Sequence, residues 1–237
     1  MQKTTKKIIK LYVIGVGPGD PELLTLKAKK ILKRVPLIFS PTGGKDNLAL
    51  SIIKKAINLN KKKVVSLLFP MKKTKETDLE AHWKILSDEI IKYLNLFGKG
   101  AFITLGDPAF YSTFFYLYPF LKNFAKIEIV PGVSSLSAVA SVIPTNLSIA
   151  NEKIIILPAN YADNLEKYGK DFDTLILMKP HKNWQKILKL AENLKNYQSF
   201  YVKKATMLEE KIYTNLKEVP EEELDYFSIV IFKKREN

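Results

Sequence analysis

The residues with chemistry to offer sit in glycine-bearing turns, the first of them in "LYVIGVGPGDPELLTLKA", residues 11–28. Gly15, Gly17 and Gly19 follow a strand-like run and precede a helical pattern, the outline of a nucleotide-binding βα unit. A dinucleotide fingerprint needs G-x-G-x-x-G and an acidic residue about 20 positions further on for the ribose. Here the spacing is G-x-G-x-G, the next residue is Asp20, and no Asp or Glu occurs between Glu22 and Asp46. Both halves of the fingerprint are missing. Asp20 is placed as an N-cap, Pro21 as the first helical residue and Glu22 in the first turn, so two carboxylates meet the positive end of the helix. Phosphate would be repelled there. The ligand that such glycines admit is neutral or cationic at this point, and a tight turn without a ligand is the plain alternative.

Two further turns have the same character. "AFITLGDPAFYSTFFYL" carries Gly106, Asp107 and Pro108 at the exit of a fourth strand, and "IEIVPGVSSLSAVA" carries Pro131, Gly132, Ser134 and Ser135 at the exit of a fifth. Ligands of open α/β sheets bind at the carboxyl ends of the strands, so the three turns can face one crevice. Each alone reads equally well as helix capping. Their combination on one sheet carries the signal.

The elements that must position these turns alternate. "KLYVIGV", "PLIFS", "KVVSLLF", "AFITLG" and "IEIV" read as buried strands, separated by "PELLTLKAKKILKR", "NLALSIIKKAIN" and "LEAHWKILSDEIIKYLNLF" with helical spacing. This is an α/β pattern with a largely parallel sheet. From residue 149 the texture changes to closely spaced strands, "KIIILPA", "DTLILMKP", "SFYVKKATM", "KIYTNL" and "FSIVIFKK", with one or two helices. The expected organisation is an α/β domain over 1–148 and an α+β domain over 149–237, joined by the linker-like "PTNLSIANEK" with Pro144 and two asparagines.

Composition sets the outer bounds. The 237 residues, 46% hydrophobic, can bury a substantial core. There is no cysteine, so disulfides and thiolate metal sites are excluded. No apolar run reaches the roughly 18 residues that span a bilayer, and "MQKTTKKIIK" is a poor secretory signal; a cytoplasmic protein without a membrane partner is expected. The formal charge of +14 favours a polyanionic partner, although no basic DNA-reading motif or aromatic RNA platform occurs, so nucleic acid is not an expected partner. His82 and His181 are the only histidines, too far apart in the chain to form a ligand motif, and no protein-bound metal is expected.

Together "GVGPGDPELLTLKA", "TLGDPAFYSTF", "VPGVSS", "ILMKP" and "VKKATM", in this order, resemble the tetrapyrrole methylases, S-adenosylmethionine-dependent enzymes that modify corrin and sirohaem precursors. The resemblance covers nearly the whole chain. It implies two α/β domains with the cofactor in the cleft between them, a homodimer, and release of S-adenosylhomocysteine. "FPMKKTKE" at 69–76 and the residues after Asp107 look most like the enzymes that methylate carbon 20 of precorrin-2 or cobalt-factor II. In the uroporphyrinogen methyltransferases an aspartate thought to act as a base follows the second strand; Pro41 stands at that place here.

The resemblance assigns Pro18 to the cofactor cleft, Gly106, Asp107 and Phe110 to the adenosine and methionine parts, Ser134 and Ser135 to further cofactor contacts, and Met178 and Ala205 to closure on the adenine. Asp107 is the polar group suited to the donor's amino group or ribose. The reaction is a displacement in which an electron-rich ring carbon attacks the sulfonium methyl, so alignment matters and no protein nucleophile is required. No catalytic residue is nominated: His82 reads as a helix-surface residue, His181 as a loop residue, and Tyr111 and Tyr116 as core or as a lining for the macrocycle. Lys45, Lys72 and Lys73 follow strand ends and suit the carboxylates of a tetrapyrrole substrate, or form a solvated face. The alternatives are a methylase of this fold acting on another ring position or on ribosomal RNA, and a noncatalytic nucleotide-binding module.

Overall fold

A wholly parallel sheet needs crossover helices that cover both of its faces, and the first half of the chain is built that way. The computed structural model describes residues 8–44, 47–69, 76–143, 145–165 and 171–235. The chain separates into two units, Met1–Ser134 and Ser135–Asn237.

In the first unit β1 (Lys10–Gly15), β2 (Leu37–Thr42), β3 (Lys63–Leu68), β4 (Lys99–Thr104) and β5 (Lys126–Val130) form one sheet in the order β3-β2-β4-β1-β5. Every pairing is parallel. On one face α3 (Glu76–Phe97) and α4 (Phe114–Leu121) bury Leu86, Ile90, Leu94, Phe114, Leu117 and Leu121 against Leu11, Val13, Phe39 and Phe102. On the other, α1 (Leu26–Arg34) and α2 (Leu48–Ala56) bury Ala28, Leu32, Ile52 and Ile53 against Ile14, Ile38 and Ile103. Each such aliphatic side chain contributes about 2 kcal/mol by leaving water, so the two-sided core outweighs any single cap or ion pair. Lys62 finishes α1 from outside: its Nζ donates to the carbonyl oxygens of Lys33 at 2.9 Å and Val35 at 2.7 Å.

The first helix starts later than expected. Asp20 caps only a three-residue 3₁₀ turn, Pro21–Leu23, accepting from the Glu22 N–H at 2.8 Å. Leu24 then turns extended and enters the core, and Thr25 caps α1 by accepting from Ala28 N–H at 3.2 Å. The first turn of α1 holds no acid. Asp20 and Glu22 therefore oppose an anion as nearby charges, not through the dipole of a long helix.

The second unit holds α5 (Ser135–Val142), β6 (Ile154–Pro158), β7 (Thr174–Met178), α6 (Trp184–Asn193), β8 (Tyr197–Lys203), β9 (Lys211–Tyr213) and β10 (Ser228–Lys234). Its sheet runs β6-β7-β10-β8-β9, with β6 and β7 parallel and the remaining pairs antiparallel. Trp184, Ile187 and Leu190 of α6 cover one face, packing with Leu175, Leu177 and Val230. Leu136, Ala138 and Val139 of α5 cover the other, packing with Ile176, Phe200 and Ile231. This packing corrects the expected boundary at 148/149: the second sheet needs α5 to bury its far face, so the division falls at Ser134/Ser135. The segment expected to be a linker is likewise fastened within the second unit. Thr174 Oγ1 donates to Leu147 O at 2.7 Å, and Glu152 accepts from Ile149 N–H at 2.7 Å and from Lys233 Nζ at 2.6 Å; Pro144 lies outside the described residues. Among the described residues no helix is long and apolar enough to cross a membrane.

Candidate functional site

β1 and β4 are neighbours, yet the helices that follow them, α1 and α4, pack on opposite faces of the sheet. That divergence is a topological switch point, the usual place for a ligand in an open parallel sheet. The two exit turns meet there through their backbones. Gly17 N–H donates to Gly106 O at 3.3 Å and Gly106 N–H to Gly17 O at 2.8 Å, with φ of +83° and +67°, values that favour glycine. A Cβ on Gly15 would lie 2.6 Å from Gly106 O and 2.7 Å from Gly132 N, and one on Gly132 would overlap Gly106 O. The glycines thus let three turns pack backbone against backbone.

Asp107 ties the same turns together. Its Oδ1 accepts from Ala109 N–H at 2.7 Å and its Oδ2 from Gly132 N–H at 2.9 Å. One carboxylate therefore fixes its own turn and anchors the turn after β5, with further lone pairs left for a ligand. Pro18 is buried, Phe110 is exposed, and Ser134 and Ser135 are half-buried, Ser135 opening α5. Tyr111 takes a left-handed φ of +54° and is exposed.

The three turns share one charge character. Of 38 Lys and Arg residues, none lies in 15–20, 105–113 or 131–135, whereas Asp20 and Asp107 do. A phosphate site would carry the opposite bias. A ligand with a positive centre meets no like charge from these turns.

In the second unit Met178 ends β7 and Ala205 follows β8, and both join the apolar cluster that contains Leu136 of α5. The structure brings these two together across the sheet. The backbone beside them is left-handed at Lys179 (φ +59°), Lys204 (φ +48°) and Thr206 (φ +65°). Lys179 N–H and Lys204 N–H bond to Ser228 O and Phe227 O, holding both turns to the start of β10.

Other residues singled out in the sequence stand apart. A ring nitrogen of His82 lies 2.9 Å from Leu68 O, tying α3 to the end of β3. His181 packs edge-on to Tyr226 at 5.7 Å, and its Nδ1 is buried without a hydrogen-bond partner. Burial first, then the Lys182 charge, pushes its imidazole below the ordinary range. Tyr116 stacks on Trp83, with ring centroids 5.0 Å apart and planes at 7°, a contact the sequence did not disclose. Lys45, Lys72 and Lys73 lie outside the described residues. Among the described residues no group of three or more His, Asp or Glu is placed to hold a metal ion.

Residues 10–220 match the family described as Tetrapyrrole (Corrin/Porphyrin) Methylases. A Methanocaldococcus jannaschii protein named probable cobalt-precorrin-2 C(20)-methyltransferase is 41% identical over 239 residues, covering 99% of each chain. The cobalt-precorrin-2 C(20)-methyltransferase of Salmonella typhimurium is 29% identical over 95% of this chain and 97% of its own. The uroporphyrin-III C-methyl transferase of Thermus thermophilus, solved in complex with S-adenyl homocysteine, superposes with a TM-score of 0.64 at 19% identity, covering 94% of this chain and 97% of that one.

Proposed function

The chain belongs to the tetrapyrrole methylases, and we propose that it is the S-adenosylmethionine-dependent methyltransferase of cobalamin biosynthesis that methylates carbon 20 of a precorrin-2-type ring. The whole-length likeness to a protein named for that step carries the reading, and the same name favours the cobalt-bearing ring over the metal-free one. The enzyme works in the cytoplasm as a homodimer, on a substrate rich in carboxylates that the +14 chain attracts.

The residues present fit the methyl donor by chemical type. Bound, S-adenosylmethionine supplies an electrophilic methyl on a sulfonium. The three base-free turns leave that positive centre unopposed. Asp107 is held in one orientation by two backbone donors and offers its remaining lone pairs to an amino group or ribose hydroxyl. Pro18, Gly106 and Phe110 supply backbone and apolar contact, Ser134 and Ser135 hydroxyls, and Met178 and Ala205 a surface suited to an adenine. Rigid turns favour alignment of the attacking carbon with the methyl, and alignment alone lowers such a barrier by several kcal/mol.

Incubating the chain anaerobically with methyl-labelled S-adenosylmethionine and cobalt-precorrin-2, metal-free precorrin-2 or ribosomal RNA tests the reading. Label is expected at carbon 20 of the cobalt ring, located by NMR. Label at another ring position, in RNA, or nowhere overturns it.

A further inference from the structure

Because every pairing in the first sheet is parallel, the amino ends of its five strands share one rim, at the opposite end from the turns of the candidate site. Lysine begins four of those strands: Lys10, Lys63, Lys99 and Lys126. They stand in register, with Lys10 opposite Lys99 on one side and Lys126 on the other, and Lys63 opposite Leu37. The helices α1 and α2 run back toward this rim, and their last turns add Lys33 and Arg34, then Lys54 and Lys55. Together the segments 29–37, 54–63, 95–100 and 121–127 hold 12 of the 38 Lys and Arg residues and no Asp or Glu. Apart from Lys10, the bases named are exposed, and none of those is in an ion pair with a described acid. Compensation of the helix dipole accounts for bases in the last turns of α1 and α2. It does not account for lysines that open strands. Nor do these charges line the candidate site: β1 is six residues long, which sets the rim roughly 20 Å from the turns, more than twice the roughly 8 Å over which exposed charges act at physiological ionic strength. Two aliphatic side chains stand among the bases. Ile8 is 74% exposed and Leu96 73%, and both are tied to this rim, where Lys10 N–H donates to Gly98 O at 3.1 Å and Lys126 N–H to Ile9 O at 2.9 Å.

We propose that the amino rim of the first sheet rests on an anionic lipid surface, held by its lysines and by Ile8 and Leu96, with the turns of the candidate site at the far end. The residue types select this partner from among the polyanions. Lysine is a compact point charge that needs no partner of fixed geometry, which suits the diffuse charge of a headgroup layer. Nucleic acid is held by arginine forks and stacked rings. Here Arg34 is the one arginine in the four segments, and their two rings, Phe97 and Phe124, pack against the core. The centre of a protein interface is depleted of lysine. Exposed aliphatic tips between bases suit a lipid surface, since they can enter the boundary between headgroups and acyl chains. A spanning helix, the feature whose lack argued against a membrane partner, is not needed for such attachment. The proposal is independent of the reaction.

Flotation of the full chain with vesicles tests it. At low salt the wild type is expected to bind vesicles of equal parts phosphatidylglycerol and phosphatidylcholine, to ignore pure phosphatidylcholine, and to be released at high salt. Each base near an anionic leaflet is worth about fivefold in affinity, so Lys54→Glu with Lys55→Glu should weaken binding about twenty-fivefold or more. Lys189→Glu with Lys195→Glu, at exposed residues of the second unit, makes the same change in net charge and should leave binding nearly unchanged. Because the chain has no cysteine, Leu96→Cys gives a single attachment point for a polarity-sensitive fluorophore, whose emission should shift to the blue on the anionic vesicles where the same label at Lys189→Cys does not. That readout decides the matter if the charge-reversed variant fails to fold. No binding to the anionic vesicles, equal losses in the two double variants, or no selective shift at position 96 overturns the proposal. So does a chain that ignores the vesicles yet binds polyuridylate through Lys54 and Lys55, which would assign the rim to nucleic acid. None of these readouts involves methyl transfer, so their failure leaves the proposed reaction standing.

Discussion

The exits of the two sheets solve the same problem by opposite means. At the carboxyl ends of β1, β4 and β5 the turns approach one another because Gly15 and Gly132 have no side chains to meet the Gly106 carbonyl, and Asp107 bonds across the gap. At the ends of β7 and β8 the turns bend through left-handed lysines and a threonine, Lys179, Lys204 and Thr206, none of which has glycine's freedom. The first region removes atoms to gain closeness. The second keeps its side chains and carries backbone strain, held by hydrogen bonds to Phe227 and Ser228.

The comparison breaks most sharply at Gly132. Gly132→Ala forces a methyl into the Gly106 carbonyl, and a clash with rigid backbone should cost about 3 kcal/mol. Calorimetry should show a Tm lower by roughly 10 °C. An unchanged Tm would mean that the three turns are not packed as described. Asp107→Ala comes next: it removes the acceptor of two backbone N–H groups and should cost about 2 kcal/mol. It should also weaken S-adenosylhomocysteine binding at least tenfold by titration calorimetry. Asp107→Asn, which keeps one carbonyl acceptor, should recover part of the stability; equal losses in both variants would deny the bridge to Gly132. The smallest effect has the opposite sign. Thr206→Gly relieves a β-branched residue at φ +65° and should stabilise by about 1 kcal/mol, raising Tm by roughly 3 °C. A fall in Tm there would show that the threonine side chain contributes more than its backbone strain costs.

What the sequence revealed follows the range over which each signal acts. Strand and helix periodicity is local, and the two-domain α/β fold could be read from it. So could the positions of the three turns, because glycine beside a strand end marks a sharp exit. The partner of Asp107 could not, since Gly132 is distant in the chain and the bond depends on β1 separating β4 from β5. The start of α1 was misplaced because the chain offers Asp20 and Thr25 in series as caps, and only the burial of Leu24 shows that both are used. The division of the chain lies earlier than expected for a related reason: nothing local in the sequence tells that the residues after Ser134 cover the second sheet. Left-handed turns at Lys179, Lys204 and Thr206 had no glycine or asparagine to announce them.

The position of β1 also sets the order in which the first sheet can form during synthesis. Lys10 pairs with Lys99 on one side and Lys126 on the other, so the first strand made has no neighbour until β4 and β5 have left the ribosome. At a synthesis rate of roughly 10 residues per second, β1 waits on the order of ten seconds unpaired. The apolar strand "KLYVIG" is then the segment of the nascent chain most in need of shielding, and the pace of translation through β5 decides how long that need lasts.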